Sequence, residues 1–250
     1  MEQNKDVFII TTYINKPYHE SLLKQCVKRV QLFHPEADII ILNDSHSVKI
    51  TIEEVDNLKI LNTKNHRCGE INAYVWACEN KWLYRNYFYI HDSAFLINRI
   101  ILDISDMHYR PMWYSSCHIH NNTTGPDISG IIHNFSINQT DINERAHRLQ
   151  LGYGSIVFGG MAVFDSTFLD FLANKTNFLS LAHLFNTRNL RCFFERLLYI
   201  ILSDFYDISN FTLYSLCGDI INHEQGFSSS VFLNSSLARN PYVLKIWQGR

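Results

Sequence analysis

Glycine and proline are scarce in this chain, at 10 and 5 of 250 residues. That scarcity excludes collagen-like, linker-rich and other fibrous architectures. No excess of either charge is present: 22 Lys+Arg stand against 24 Asp+Glu, a formal net charge of −2. The chain therefore carries no electrostatic footprint for nucleic acid. Long apolar runs are missing too. The densest, Leu197 to Leu202, covers six residues, where a membrane span needs roughly twenty. Val7 to Ile10 is too short for the apolar centre of a signal peptide. The six cysteines (Cys26, Cys68, Cys78, Cys117, Cys192, Cys217) are widely spaced with no C-x-x-C. This is no disulfide framework, and thiols buried in a reducing compartment are expected. Three motifs are absent as well: the phosphate loop G-x-x-x-x-G-K-S/T, the dinucleotide fingerprint G-x-G-x-x-G and the nucleophile elbow G-x-S-x-G. The expectation is a soluble protein with no transmembrane segment and no nucleic-acid partner.

What is present is core material. Hydrophobic residues make up 46% and aromatics 14%, including 13 Tyr and 17 Phe, enough for one large domain over residues 1–250. Asp6 to Ile14 is a β-branched run suited to a buried parallel strand. Pro17 breaks it, and Glu20 to Phe33 carries apolar residues at helical spacing. His34-Pro35 ends that helix, and Ala37 to Leu42 is a second buried strand. Strand, helix and strand form a βαβ unit whose carboxyl edge holds Thr11-Thr12-Tyr13 and Asn43-Asp44-Ser45; ligands bind at that edge in open α/β sheets. A short strand at Leu58 to Leu61 and a helix from Gly69 to Asn80 follow. Tyr87 to Leu96 then reads as one strand interrupted by His91-Asp92-Ser93. The middle, Asp103 to Leu149, is irregular, with short strands expected around Met112–Tyr114 and Gly130–Ile132. Order returns with Ile156–Phe158, a strand at Met161 to Phe164, a helix from Ser166 to Ala173, and a strongly apolar helix from Thr187 to Phe205. The whole is expected to be a mixed, mostly parallel α/β sheet flanked by helices.

Several residue groups suit chemistry, each with a plainer alternative. His91-Asp92-Ser93 breaks an apolar strand with polar residues, a local inconsistency typical of functional sites. Asp92 there would suit a divalent cation beside a diphosphate, or merely cap a turn. Asp44 suits a base or ribose hydroxyl, though Asn-Asp-Ser is ordinary turn chemistry. Tyr13, with Thr11 and Thr12, would stack on a base or lie at the solvent edge. Gly159-Gly160 permits close backbone approach to a ligand, or makes a bulge. Glu195 is either a buried general base or half of an i,i+4 ion pair with Arg191. His118, His120 and His133 stand at no zinc-ligand spacing to a cysteine, and no metal is expected there.

In order along the chain, these residues resemble the nucleotide-sugar-dependent glycosyltransferases of the GT-A fold. The order runs Thr-Thr-Tyr, Asn-Asp-Ser, Gly69-Glu70 opening a helix, His-Asp-Ser, Gly-Gly, and Arg-x-x-x-Glu-Arg. The closest resemblance is to compact members from large DNA viruses and bacterial polysaccharide loci. The resemblance implies a GT-A (Rossmann-like) fold with a donor half over about residues 1–100 and an acceptor half over about 150–250. It implies sugar transfer from a UDP- or GDP-linked donor to a hydroxyl of a glycan or glycoconjugate; the competing reading is an inactive GT-A-like binding domain. Thr11, Tyr13 and Asp44 would hold the nucleoside. Arg67, Gly69 and Glu70 would flank the ribose or diphosphate, together with His91 and Ser93. Gly159, Gly160 and Met161 would face the acceptor, and Glu195 and Asp92 would be catalytic. His91-Asp92-Ser93 stands where the family keeps Asp-x-Asp, and one carboxylate is missing. Asp92 with His223 would then hold Mn²⁺ or Mg²⁺, or basic side chains would neutralise the leaving group instead. A cytoplasmic location is expected, the host cytoplasm if the chain is viral.

Overall fold

The computed structural model describes residues 5–46, 48–52, 55–116, 131, 155–205, 215–220 and 242–245. Strand β1 (Val7–Thr12) is buried at every position. It lies between two parallel neighbours, β2 (Asp38–Asn43) and β4 (Tyr87–His91). Burial on both faces explains why its sequence is a continuous apolar run rather than an alternation. Strand β3 (Leu58–Asn62) pairs in parallel with β2 at the sheet edge and is largely exposed. Two further strands, β6 (Tyr109–Pro111) and β9 (Ala162–Phe164), complete a six-stranded sheet of order β3-β2-β1-β4-β9-β6. Strand β9 runs antiparallel to both its neighbours. The sheet is thus mixed and mostly parallel, in agreement with the pattern of the sequence.

Helix α1 (Pro17–Phe33) buries Leu23, Cys26, Val27 and Val30 on one face. It starts three residues earlier than the apolar spacing indicates. Pro17 opens the helix rather than breaking the strand, because a proline in the first turn gives up no helical hydrogen bond. The helix stops at His34, whose N–H donates to Val30 O, and Pro35 forbids continuation. Helix α2 is Ile71–Glu79. Helix α3 (Ser166–Lys175) is capped by Asp165, whose Oδ1 accepts the N–H groups of Thr167 and Phe168 at 2.8 and 3.2 Å. Helix α4 (Arg188–Phe205) packs on β8 (Ser155–Val157) and on the single turn Phe158–Gly160. Phe164 on β9 stacks between Tyr74 (5.0 Å between centroids), Tyr87 (5.9 Å) and Tyr109 (6.1 Å), joining α2, β4 and β6 through aromatic contacts.

Four expectations are corrected. Tyr87 to Leu96 is not one strand: β4 ends at His91, and β5 (Ala94–Leu96) belongs to a second sheet, antiparallel to β10 (Val243–Lys245). The polar interruption is the turn at which the chain changes sheets. The strand expected around Met112–Tyr114 resolves into β6 and β7 (Tyr114–Ser116), with Met112 and Trp113 buried between them; β7 pairs with β8. Gly130 and Ile132 lie outside the described residues. Cys192 is exposed, while Cys26, Cys68, Cys78 and Cys217 are buried thiols; Cys117 is not described. Lastly, Arg191 and Glu195 form no ion pair among the described residues. Among those residues no helix is long and apolar enough to cross a membrane.

Candidate functional site

The parallel strands β1, β2 and β4 deliver Thr11-Thr12, Asp44 and His91-Asp92-Ser93 to one sheet edge. At the end of β2, Asp44 is buried and works inward. Its Oδ1 accepts the Thr63 hydroxyl at 2.8 Å and the Arg67 N–H at 2.9 Å, and its Oδ2 accepts the Gly69 N–H at 3.1 Å. These bonds fix the turn into α2, where Arg67 and Gly69 take left-handed φ of 64° and 50°. Glycine adopts that conformation freely, and arginine only when held. Asp44 provides the hold. Arg67 is exposed at this corner.

His46 continues the same network. The single proton of the Thr63 hydroxyl goes to Asp44, an acceptor, so the 2.9 Å contact to His46 Nε2 is donated by the histidine. The rings of His46 and His66 pack at 4.8 Å. Asp44, His46 and His66 each bring one ligand atom within 4.8 Å of the others. One carboxylate and two imidazoles are a donor set that a divalent cation accepts, shared here with the three donors already on Asp44.

The end of β4 is built differently. Asp92 is 2% exposed, and its Oδ2 accepts the Thr12 hydroxyl at 2.6 Å. Thr11 meets the Tyr89 hydroxyl at 3.1 Å, and Tyr13 is half-buried beyond them. His91 Nε2 lies 2.9 Å from Gly159 O, and its Nδ1 lies 3.3 Å from the ammonium of Lys245. A carbonyl only accepts and an ammonium only donates. His91 is therefore the neutral tautomer with its proton on Nε2. Lys245 also donates to Ser93 Oγ at 2.5 Å. Among the described residues this turn offers a cation one carboxylate, Asp92, whose Oδ2 accepts the Thr12 hydroxyl, with the ammonium of Lys245 bonded to the neighbouring Ser93. His223, the second ligand expected from the sequence, lies outside the described residues, as do His118, His120 and His133.

Across from β4, Gly159 and Gly160 both hold φ of 63°. A Cβ on Gly159 would stand 2.8 Å from His91 Cε1 and 2.8 Å from Met161 Cε, so only glycine lets this backbone approach the histidine. Met161 itself is wholly buried. The Gly159 N–H faces Glu195 on α4. Burial chiefly, and the charge of Glu70 next, push the Glu195 carboxyl up to about 8; Arg196, the Gly159 N–H and Lys245 pull the other way. Glu70 is also raised, by burial, with Arg191 opposing. Arg191 lies over Gly69: a Cβ there would be 3.2 Å from its Cδ and 3.3 Å from its Nη1. The structure thus gathers Glu70, His91, Ser93, Gly159 and Glu195 around one centre. Asp44, Arg67 and Gly69 form an adjoining corner.

The sequence singles out neither Lys245 nor His46 nor His66, and of its two readings of Glu195 the ion pair with Arg191 is the one the structure does not form among the described residues. Nothing in the local sequence around Lys245 marks it. The register of β10 on β5, which sets Lys245 opposite Ala94, brings it to the end of β4.

No family model matches the chain, and no curated protein is significantly similar to it. Solved structures of similar course include core-mannan synthase A from Aspergillus fumigatus in its Mn/GDP form. That match is 11% identical with a TM-score of 0.49, covering 80% of this chain and 70% of that one. The mannosyltransferase Ktr4p from S. cerevisiae in complex with GDP is similar at 10% identity and a TM-score of 0.48, over 80% of this chain and 66% of that one. A further structure of Ktr4p gives 10%, 0.45, 76% and 62% for the same quantities. The chain spans about two thirds of the length of the S. cerevisiae protein.

Proposed function

We propose that this chain is a GT-A-type glycosyltransferase that moves a sugar from a nucleoside-diphosphate donor to a hydroxyl of a glycan or glycoconjugate. One observation carries the reading. Glu195, raised to about 8 and held by the Gly159 N–H, stands at the ligand-binding edge of an open α/β sheet, beside basic groups. A carboxylate with affinity for protons near neutral pH is suited to take one from an attacking hydroxyl. In the proposed step the acceptor oxygen bonds to the anomeric carbon, its proton passes to Glu195, and the bond to the diphosphate oxygen breaks. The order of sequence elements that resembles the GT-A enzymes supports the same reading.

The test is release of nucleoside diphosphate from a panel of UDP- and GDP-sugars, with thermal melting in parallel, because a ligand of the native state raises the melting temperature. One donor is expected to stabilise the protein and to be turned over. Glu195→Gln is expected to keep that donor's stabilisation and lose about 10²- to 10⁴-fold in turnover. Stabilisation with no turnover in the native protein would favour an inactive binding domain. No response to any donor by folded protein would overturn the reading.

A further inference from the structure

We propose that Asp44, His46 and His66 form a binding site for a divalent transition-metal ion such as Zn²⁺, at the corner where β2 ends and the chain turns into α2. The site is separate from the end of β4, and the inference does not rest on the glycosyltransferase reading.

Folding brings these residues together. His46 lies just after β2, and His66 lies between β3 and α2. Parallel pairing of β3 on β2 sets Asn62 opposite Asn43, so the two following segments run side by side. Thr63 then joins them: its hydroxyl donates to Asp44 Oδ1 and accepts from His46 Nε2. The turn that carries His66 is pinned from both sides. Asn72 Oδ1 accepts the Asn65 N–H at 3.3 Å, and Asn72 Nδ2 donates to Asn65 O at 2.8 Å. On the other side the Arg67 N–H goes to Asp44 Oδ1. One ligand atom from each of the three residues ends within 4.8 Å of the others.

The donor set selects the ion. Two donors reach Asp44 Oδ1, but only the Gly69 N–H reaches Oδ2. A carboxylate oxygen has room for two, so Oδ2 keeps one position for a cation. Both imidazoles are exposed, so their rings can turn the short distance needed to close on an ion. The guanidinium of Arg67, next in the chain, belongs to an exposed residue, and solvent weakens its repulsion of a cation. Two imidazole nitrogens with one carboxylate suit Zn²⁺, Co²⁺ or Ni²⁺, whereas Mg²⁺ and Ca²⁺ take oxygen ligands. Three protein ligands leave the remaining position to water. An ion held there would tie the end of β2 to the turn before α2.

The experiment uses the full chain, stripped of metal with EDTA and then freed of the chelator. Zn²⁺ binding is measured by calorimetry, Co²⁺ binding by visible absorption, and Mg²⁺ is the control. One Zn²⁺ per chain is expected at this site, with a higher melting temperature and no comparable response to Mg²⁺. His66→Ala and His46→Asn each remove an imidazole. Asparagine is used at 46 because it tolerates the left-handed φ of 53° found there. Loss of an outer-shell partner already costs about 10- to 100-fold in metal affinity, so each variant should lose at least tenfold. The equivalent that counts is the one lost in both variants; zinc retained by both belongs to other histidines. No Zn²⁺ binding by the native protein, or unchanged binding in either variant, would overturn the inference. If one variant does not fold, the other decides. The donor-sugar assay is a separate measurement, so this inference and the glycosyltransferase reading fail independently.

Discussion

The two strand ends that face the candidate centre are built on opposite plans. At the end of β2, a buried carboxylate spends both oxygens on the protein itself: Asp44 accepts from Thr63, Arg67 and Gly69, and so shapes the backbone entering α2. At the end of β4, ionisable groups are held by neutral ones: Lys245 on Ser93 and His91, His91 on a carbonyl, Glu195 on an N–H. Hydrogen bonding in the first corner consumes charge to fix conformation. In the second it positions titratable groups against one another. A strand-end carboxylate is therefore not by itself a ligand-binding group; what its oxygens already accept decides its role.

Removing Asp44 is the sharpest way to break this contrast in the folded state. Asp44→Ala strands two backbone N–H groups and the Thr63 hydroxyl and releases Arg67 from its left-handed conformation. A loss on the order of 3 kcal/mol is expected, since buried unsatisfied donors are costly and bonds to a charged acceptor are the stronger kind. Denaturant unfolding measures it as a lower midpoint with unchanged slope. A midpoint like that of the native protein would show that the corner does not depend on Asp44.

Gly159→Ala tests the second corner by steric means. The new methyl would need a left-handed φ and would collide with the His91 ring and with Met161. Strain of this kind costs about 1–3 kcal/mol. The variant is also expected to displace His91 from Gly159 O, visible as a changed imidazole resonance by NMR. If stability and the His91 signal were both unchanged, the close approach inferred for this backbone would be wrong.

The two corners also differ in how much of them could be read beforehand. Strands β1 and β2 and the helix between them are local patterns: unbroken β-branched runs, then apolar residues at three- and four-residue spacing. Burial on both faces of a parallel sheet writes itself into such runs. The β4 corner depends on partners far away in sequence. Lys245 and His91 are 154 residues apart, and β10 is three residues long, too short to show any period. Glu195 stood out as a charge on an apolar helix, but its surroundings did not. Arg191, four residues earlier, was the natural local partner, and folding turned it towards Gly69 and Glu70 instead. For Asp44 the residue type was informative and the direction was not: a carboxylate after a strand serves a ribose hydroxyl or a backbone N–H equally well.

The dependence of stability on pH carries contributions of opposite sign from the β4 corner and from His34 at the end of α1. Glu195 holds its proton up to about 8 in the folded chain, against an ordinary 4.5. Between those values the native state binds more protons than the unfolded one, so stability falls as pH rises through the window. Glu70 adds to the same slope. On the far side of α1, buried His34 has its Nε2 accepting the Ile100 N–H, and burial lowers its proton affinity below the ordinary 6.5. There the unfolded state binds the extra proton, and stability falls as pH drops below 6.5. Below 6.5 the two contributions oppose each other. Glu195→Gln removes a titrating group without changing its shape, so it should flatten the decline from pH 6.5 to 8 and expose the His34 loss below 6.5 more fully. Melting temperatures across pH 4 to 9 check both limbs. A decline as steep in Glu195→Gln as in the native protein would mean that the proton sits elsewhere, and the carboxylate at the centre of the β4 corner would lose its claim to be the group that takes it.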